Sequence, residues 1–296
     1  MEKFTGKIAI IGKPNVGKSS LLNALVDNKI SIVNKKPQAT RNNVIAILEN
    51  DKYYLQFIDT PGFHKEHNKL DIFLNNQVKK SLKDIDLIYF LIDPTRPLNN
   101  EDNDLLKLAK NLNLPSILVI TKSDLIKNEK IQNLIDDIKK IKNFEYSVVT
   151  NIYDQNSFKE LLQSSQMFLG HDSLEIIKKI ETINDDLFLI REIIREQCMD
   201  LLQHEIPYGI SIMIDHFNYD PEKKTMFIDA SINVEKESHK KIVVGRNGEM
   251  IKTIGKNSRL EILKIYDTKV YLKLFVKVSK NWRNNLTKLK EFGYSN

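Results

Sequence analysis

The sequence predicts two units in tandem, an α/β domain with a mainly parallel sheet and then a smaller α+β domain. Three observations carry that prediction. Apolar strand patterns alternate with amphipathic helix patterns through the first half of the 296 residues, which is the signature of a sheet covered by helices. In the second half the order changes to α-β-β-α-α-β. Between the halves, around Gly170-His171-Asp172-Ser173, both patterns weaken. We therefore place the first domain at residues 1–170, a linker at 171–186 and the second domain at 187–296.

Strands are expected at residues 7–11, 43–49, 52–58, 87–92 and 116–121. Several are near-continuous apolar runs, as a sheet buried on both faces requires. Helical periodicity at 68–84 and 101–111 supplies covering elements. Parallel crossovers gather functional loops at the carboxyl ends of the strands. The second domain opens with a long helix at 187–204, followed by alternating segments at 209–215 and 225–234. A short helix ending near Val244, a helix at 249–266 and a strand at 269–278 complete it.

Apolar residues make up 41% of the chain, ordinary for a globular protein. The single cysteine, Cys198, excludes a disulfide framework and reads as a packing residue in a reducing compartment. No apolar run reaches the ~18 residues of a membrane span. Met1-Glu2-Lys3 runs almost directly into the first strand, so we expect no secretory leader and a cytoplasmic location. The net charge of +6 is unevenly spread: from Lys236 to Lys290 fifteen Lys/Arg stand against four Asp/Glu. Such a block suits an anionic partner, nucleic acid or a membrane surface, and equally a solvated lysine-rich face.

Gly12-Lys13-Pro14-Asn15-Val16-Gly17-Lys18-Ser19 matches the phosphate-loop pattern GxxxxGK[ST]. It follows the apolar strand Ile8-Ala9-Ile10-Ile11 and leads through Ser20 into a helix-forming stretch. Gly12 and Gly17 let the backbone turn its amides toward one anion, and the helix start adds partial positive charge. Lys18 would reach the β- and γ-phosphates, and the Ser19 hydroxyl would ligate Mg²⁺. A nucleoside triphosphate is the expected ligand.

Asp59-Thr60-Pro61-Gly62 follows the strand ending at Ile58, about 40 residues after the phosphate loop. There Asp59 can hold a water on Mg²⁺, and a backbone amide at Gly62 can meet the γ-phosphate. Thr40 lies in the polar loop Gln38-Ala39-Thr40-Arg41, and its hydroxyl can join the metal while a γ-phosphate holds the loop. Thr121-Lys122-Ser123-Asp124 follows another apolar strand. Asp124 can accept from the N1 and N2 hydrogens of guanine, which adenine cannot offer, and the Lys122 stem can cover the base.

These motifs, in this order, resemble the TRAFAC-type GTPases, which are similar in fold to Ras. Phe63 stands where Ras-like proteins carry a catalytic glutamine. The resemblance thus implies slow intrinsic hydrolysis, helped by a partner, a backbone group or a monovalent cation. Asn15 occupies the position of a potassium ligand in K⁺-using relatives, and serves equally as a turn residue. Thr121 replaces the commoner asparagine, so we expect a hydrogen bond to the phosphate loop to be lost. The last guanine contact is expected near Val149-Thr150-Asn151, with no residue singled out.

Gly245-Arg246-Asn247-Gly248 lies between two helical segments. A GxxG turn between helices can press its backbone against single-stranded RNA, as in KH domains. The element order resembles the type II KH fold. Lys252, Lys256 and Arg259, at helical spacing beyond the turn, are candidate phosphate contacts. Ile242, Val243, Ile251 and Ile254 read as core or groove floor. Trp282 either stacks on a base or covers the domain edge, and we favour the edge. His64 and His67 read as loop residues rather than a zinc site.

A GTPase domain followed by a KH domain is similar to the Era family. The likeness extends through Arg191-Glu192-Ile193-Ile194-Arg195-Glu196, Glu205-Ile206-Pro207-Tyr208 and Phe275-Val276-Lys277-Val278. It implies a monomer that binds GTP or GDP with Mg²⁺, and the 3′ region of small-subunit ribosomal RNA. It also implies a role in assembling the small ribosomal subunit, with loose attachment to the inner membrane face. The competing reading is a constitutive RNA-binding assembly factor whose nucleotide site is structural. A tRNA-modifying K⁺-using GTPase fits poorly, since that group ends in a reactive cysteine motif.

Overall fold

The computed structural model describes residues 2–27, 39–62, 66–172 and 186–294. The chain divides into two compact units.

The first unit begins with strand β1 (Lys3–Ile11), helix α1 (Lys18–Val26) and the strands β2 (Val44–Glu49) and β3 (Tyr53–Asp59). It continues through α2 (Lys69–Ser81), β4 (Leu87–Ile92), α3 (Asn100–Asn111), β5 (Ser116–Ile120) and α4 (Asn128–Lys139). The strands β6 (Tyr146–Val149) and β7 (Gly170–Asp172) flank α5 (Gln155–Ser165). The sheet order is β2-β3-β1-β4-β5-β6, with β7 also pairing β1. Pairings from β3 through β6 are parallel, while β2 on β3 and β7 on β1 are antiparallel.

Strand periodicity builds two cores. Ile8 and Ile10 of β1 point to one face, with Leu22 and Leu25 of α1 and Phe158 and Leu161 of α5. Their neighbours Ala9 and Ile11 point to the other, with Val78 of α2, Leu105 and Leu106 of α3 and Ile131 and Ile135 of α4. Successive side chains on a strand alternate in this way. Every residue of β4 and β5 is buried, which explains their unbroken apolar runs. Helix α3 starts on a capping box in which Asn99 and Asp102 satisfy each other's backbone amides.

The second unit carries α6 (Asp186–Leu201), β8 (Ser211–Asp220), β9 (Thr225–Val234), α7 (Glu237–Val244), α8 (Glu249–Tyr266), β10 (Lys269–Val278) and α9 (Leu286–Glu291). The sheet order is β10-β9-β8, parallel between β9 and β10 and antiparallel between β8 and β9. Ile193, Ile194 and Cys198 of α6, Val243 of α7 and Ile254 and Ile262 of α8 meet Ile228, Ala230 and Ile232 of β9 in one core. Burial pushes the Cys198 thiol up to about 12, so it is an inert packing group. Trp282 is fully buried, its indole N–H donates to the Gly209 carbonyl at 2.9 Å, and it packs on Phe292 and Tyr294. That is the edge position, and it leaves no face for a base.

The expected α/β and α+β classes are both present. Among the features that went unread in the sequence, three lie in the sheets. The strands β6 and β7 have four and three residues, too few to set a period. The strand β8 runs on to Asp220 because a bulge at Ile214/His216 shifts its register and breaks the alternation where the sequence suggested an end. Among the described residues, no helix is long and apolar enough to cross a membrane.

Candidate functional site

The carboxyl ends of β1, β3, β4 and β5 deliver residues 12–19, Asp59, Asp93 and Thr121 to one edge of the sheet. The loop after β1 wraps the start of α1, whose N-cap is Gly17 at φ 103°. Val16 inserts into the core and anchors the loop from below. The buried Lys18 ammonium donates to the carbonyls of Gly12 at 3.1 Å and Lys13 at 2.8 Å. Burial lowers its pKa to about 8, with the Asp59 carboxylate opposing that fall. Lys13 reaches away from the loop, to Asn99 at 2.9 Å and Glu101 at 2.7 Å. Asn15 is exposed at φ 63°, and Ser20 lies on the first turn of α1.

Three oxygens converge beside Lys18. The Ser19 hydroxyl donates to Asp59 Oδ2 at 2.6 Å and lies 3.0 Å from the Thr40 hydroxyl. Two hydroxyls and a carboxylate form a hard-oxygen donor set of the kind that suits Mg²⁺ with waters completing its shell. The Thr60 hydroxyl donates to the Ile10 carbonyl at 2.8 Å, which fixes the turn after β3 to β1. Gly62 then approaches the phosphate loop so closely that a Cβ would lie 2.6 Å from the Pro14 nitrogen. Phe63 and His64 lie outside the described residues. His67 donates its amide to Asp71 at 2.9 Å, a helix-start contact consistent with a loop residue.

Thr121 corrects one expectation. Its hydroxyl donates to the Val16 carbonyl at 2.7 Å, so threonine keeps the tie to the phosphate loop that we expected it to lose. The shorter side chain reaches because the Val16 carbonyl lies within hydrogen-bond distance of the residue that follows β5. Lys122 adds a second tie, donating to the Asn15 carbonyl at 2.8 Å and to Asp93 at 2.5 Å. Burial raises the Asp93 pKa, but hydrogen bonds from Lys122 and Thr95 outweigh it and hold the group below its ordinary value. Asp93 was missed in the sequence, although a lone carboxylate ending the run Leu87–Ile92 was a readable signal. Asp124 is exposed with no polar partner among the described residues. The amide of Ser123 donates to the Thr150 carbonyl at 3.3 Å, so the segment after β6 borders the same loop.

In the second unit Gly245, Arg246, Asn247 and Gly248 form the turn between α7 and α8. Gly245 has φ 74°, and a Cβ there would lie 2.8 Å from the Met250 nitrogen. Arg246 and Asn247 are exposed at the tip. Lys252, Lys256 and Arg259 are exposed along α8, spaced to share one side. Val243 and Ile254 are core, whereas Ile242 is 50% exposed and Ile251 intermediate. Ile242 therefore offers an apolar surface beside the turn instead of a core contact.

A phosphate loop, a DxxG turn, a Thr-Lys-x-Asp loop and a GxxG turn between helices define a GTPase-type domain joined to a KH-type module. A family model described as a 50S ribosome-binding GTPase matches residues 7–122, and a KH-domain model matches residues 205–283. GTPase Era of Ureaplasma parvum serovar 3 is 40% identical over 296 residues, covering 99% of each chain. GTPase Era of Thermoanaerobacter sp. (strain X514) is 36% identical over 290 residues, covering 98% of this chain and 96% of that one. The chain belongs to the GTPase Era family. Among solved structures it is similar to Era in complex with MgGDPNP and nucleotides 1506–1542 of 16S ribosomal RNA, with TM-score 0.93 and 32% identity. That match covers 99% of this chain and 100% of the other. It is also similar to an Aquifex aeolicus Era variant bound to GDP and AlF₄⁻, with TM-score 0.92 and 32% identity, covering the same shares.

Proposed function

We propose that this chain is a GTP-hydrolysing switch that binds the 3′ region of small-subunit ribosomal RNA and assists assembly of that subunit. The convergence of Ser19, Thr40 and Asp59 beside Lys18 carries the nucleotide half of the reading. Backbone N–H groups of residues 12–17, all but the proline at 14, would cradle the β-phosphate, and Lys18 would leave the Gly12 and Lys13 carbonyls for phosphate oxygens. Ser19 and Thr40 would hold Mg²⁺ directly and Asp59 through a water. Held there, the metal would supply neutralisation of phosphate charge. Thr121 and Lys122 fix the base loop, and Asp124 selects guanine. Asn15 is the candidate K⁺ ligand. The 16S RNA bound by the similar Era structure favours the small subunit over the large one that the domain model's description mentions.

The GxxG turn would press Gly245–Gly248 against an RNA backbone, with Arg246, Lys252, Lys256 and Arg259 neutralising phosphates. The chain would act as a cytoplasmic monomer. Its basic second unit also suits peripheral contact with the cytoplasmic membrane face. Calorimetry with GDP, IDP and ADP at millimolar Mg²⁺ tests the site. Guanine should bind best, inosine more weakly for want of its 2-amino group, and adenine not measurably. Equal binding of all three would overturn the guanine assignment. Single-turnover hydrolysis in K⁺ against Na⁺, with and without 30S subunits, separates a switch from a structural nucleotide site. RNA affinity with a GTP analogue and with GDP tests coupling, because only a difference between states can shift an equilibrium.

A further inference from the structure

The sheet of the second unit has two unlike faces. The helices α6, α7 and α8 bury one of them, and the GxxG turn belongs to that side. On the other, β10 presents Lys269, Tyr271, Lys273, Phe275 and Lys277, all exposed, in strict basic-aromatic alternation. Beside them in register, β9 places Phe227 next to Tyr271 and Asp229 next to Lys273. The Phe227 and Tyr271 rings stack at 5.2 Å with 6° between planes. Tyr271 is 61% exposed, Phe275 50% and Phe227 38%. Aromatic groups this open gain little from folding and offer their π faces to a ligand.

We propose that this face is a second RNA-binding surface, one that stacks unpaired bases on Tyr271, Phe275 and Phe227 while the β10 lysines hold phosphates. The inference rests on the RNA-binding reading above and adds a site opposite the GxxG turn. Same-face residues on a strand recur every ~6.8 Å, so rings and ammonium groups alternate with a spacing an extended ribonucleotide strand can follow. Lys269 and Lys273 have no ion-pair partner among the described residues, so their charge is available. Lys277 is held by Asp215 at 2.9 Å, and Asp220 by Lys223 at 3.4 Å. Asp229 is the remaining carboxylate on the face among the described residues.

A concavity of about 360 Å³ on this face is lined by His216 and Asn218 of β8, Phe227 and Asp229 of β9, and Tyr271 and Lys273 of β10. A nucleobase resting on Tyr271 would turn its edge toward Asn218 and Asp229. Asp229 accepts only, so it favours a base that offers an amino group and disfavours a bare carbonyl edge. A second copy of this chain would set lysine against lysine. A protein partner gives no reason for the basic-aromatic alternation. An RNA strand uses both members of the alternation.

The test uses the full chain and a 4-thiouridine-labelled RNA of nucleotides 1506–1542 of 16S ribosomal RNA. We expect photo-crosslinks at Tyr271 or Phe275. Tyr271→Ala with Phe275→Ala should weaken binding about ten-fold or more, and Tyr271→Phe should bind as the parent. Lys273→Gln should lower the salt slope by about one. A separate variant, Arg246→Asp with Asn247→Asp, should weaken binding yet keep any residual crosslink on Tyr271. The proposal falls if the double aromatic variant binds within two-fold of the parent and no crosslink maps to this face. It falls equally if that variant loses 30S association while its affinity for naked RNA is unchanged, which would give the face to a protein. RNA binding that depends on residues 245–248 alone would refute this surface and leave the broader reading standing. No RNA binding by the parent would sink the broader reading itself.

Discussion

In the proposed nucleotide site the Lys18 ammonium would link binding to pH in a way that can be measured. Burial holds its pKa at about 8 in the nucleotide-free site, against an ordinary value of 10.5. Phosphate oxygens on the ammonium favour the charged form and restore the higher pKa, so binding takes up a proton wherever the free site has lost one. The Lys18 contribution to affinity is therefore flat below about pH 7.5 and falls above pH 8. At pH 9 the weakening is about ten-fold, or ~1.4 kcal/mol, because about nine-tenths of the free sites are neutral. Stability of the nucleotide-free chain moves the other way. The unfolded chain binds more protons than the native site between pH 8 and 10.5, so this group's contribution rises with pH across that window. Titration calorimetry of GDP in buffers of different ionisation enthalpy gives the proton count directly, about one half at pH 8. Lys18→Met supplies the blank for ionisation of guanine itself. Proton uptake near zero at pH 8, or a pH profile that Lys18→Met leaves unchanged, would refute the reasoning.

Thr121→Ala removes the bond to the Val16 carbonyl and should weaken guanine-nucleotide binding by roughly 1 kcal/mol, about five-fold, measured by calorimetry, with Thr121→Asn restoring it. Gly62→Ala places a Cβ 2.6 Å from the Pro14 nitrogen, so the DxxG turn must move off the phosphate loop. Single-turnover hydrolysis should fall at least ten-fold while GDP affinity changes little. Trp282→Ala empties a fully buried position and should cost ~3–5 kcal/mol of the second unit's stability in urea, leaving GDP affinity intact. Replacing Lys252, Lys256 and Arg259 by Gln one at a time should each lower the slope of log RNA affinity against log salt by up to about one.

The parts of the fold that were legible in the sequence are local. A phosphate loop works through its own backbone and the strand before it, so residues 8–19 carry the whole signal. The Thr121 bond was not legible, because it depends on where the Val16 carbonyl falls relative to β5, and those residues are 105 apart in the chain. Asp93 was readable as a strand-end carboxylate, but its pairing with Lys122 was not, because that needs β4 and β5 side by side, with the Thr121 amide donating to the Ile92 carbonyl at 2.9 Å. The stack of Phe227 on Tyr271 likewise needs the parallel register of β9 and β10. Read singly, each of those aromatics is an ordinary strand residue. The bulge in β8 shortened the apparent strand because one extra residue inverts the period that the reading relies on.

The hydrogen bonds of the site also separate what stays fixed from what responds. Thr121 and Lys122 donate to carbonyls of the phosphate loop itself, so the base loop and the phosphate cradle form one braced piece. Ser19, Thr40 and Asp59 are held differently, by hydroxyl contacts to one another that a metal ion would replace. The braced half can therefore recognise guanine in either nucleotide state with little rearrangement. In the proposed site the hydroxyl-carboxylate half would rearrange when Mg²⁺ and a third phosphate arrive, since its internal bonds and the metal would compete for the same oxygens. A switch needs both properties. Its ligand must be held in both states, and only one state may satisfy the responsive half, because a ligand that binds both states equally shifts nothing.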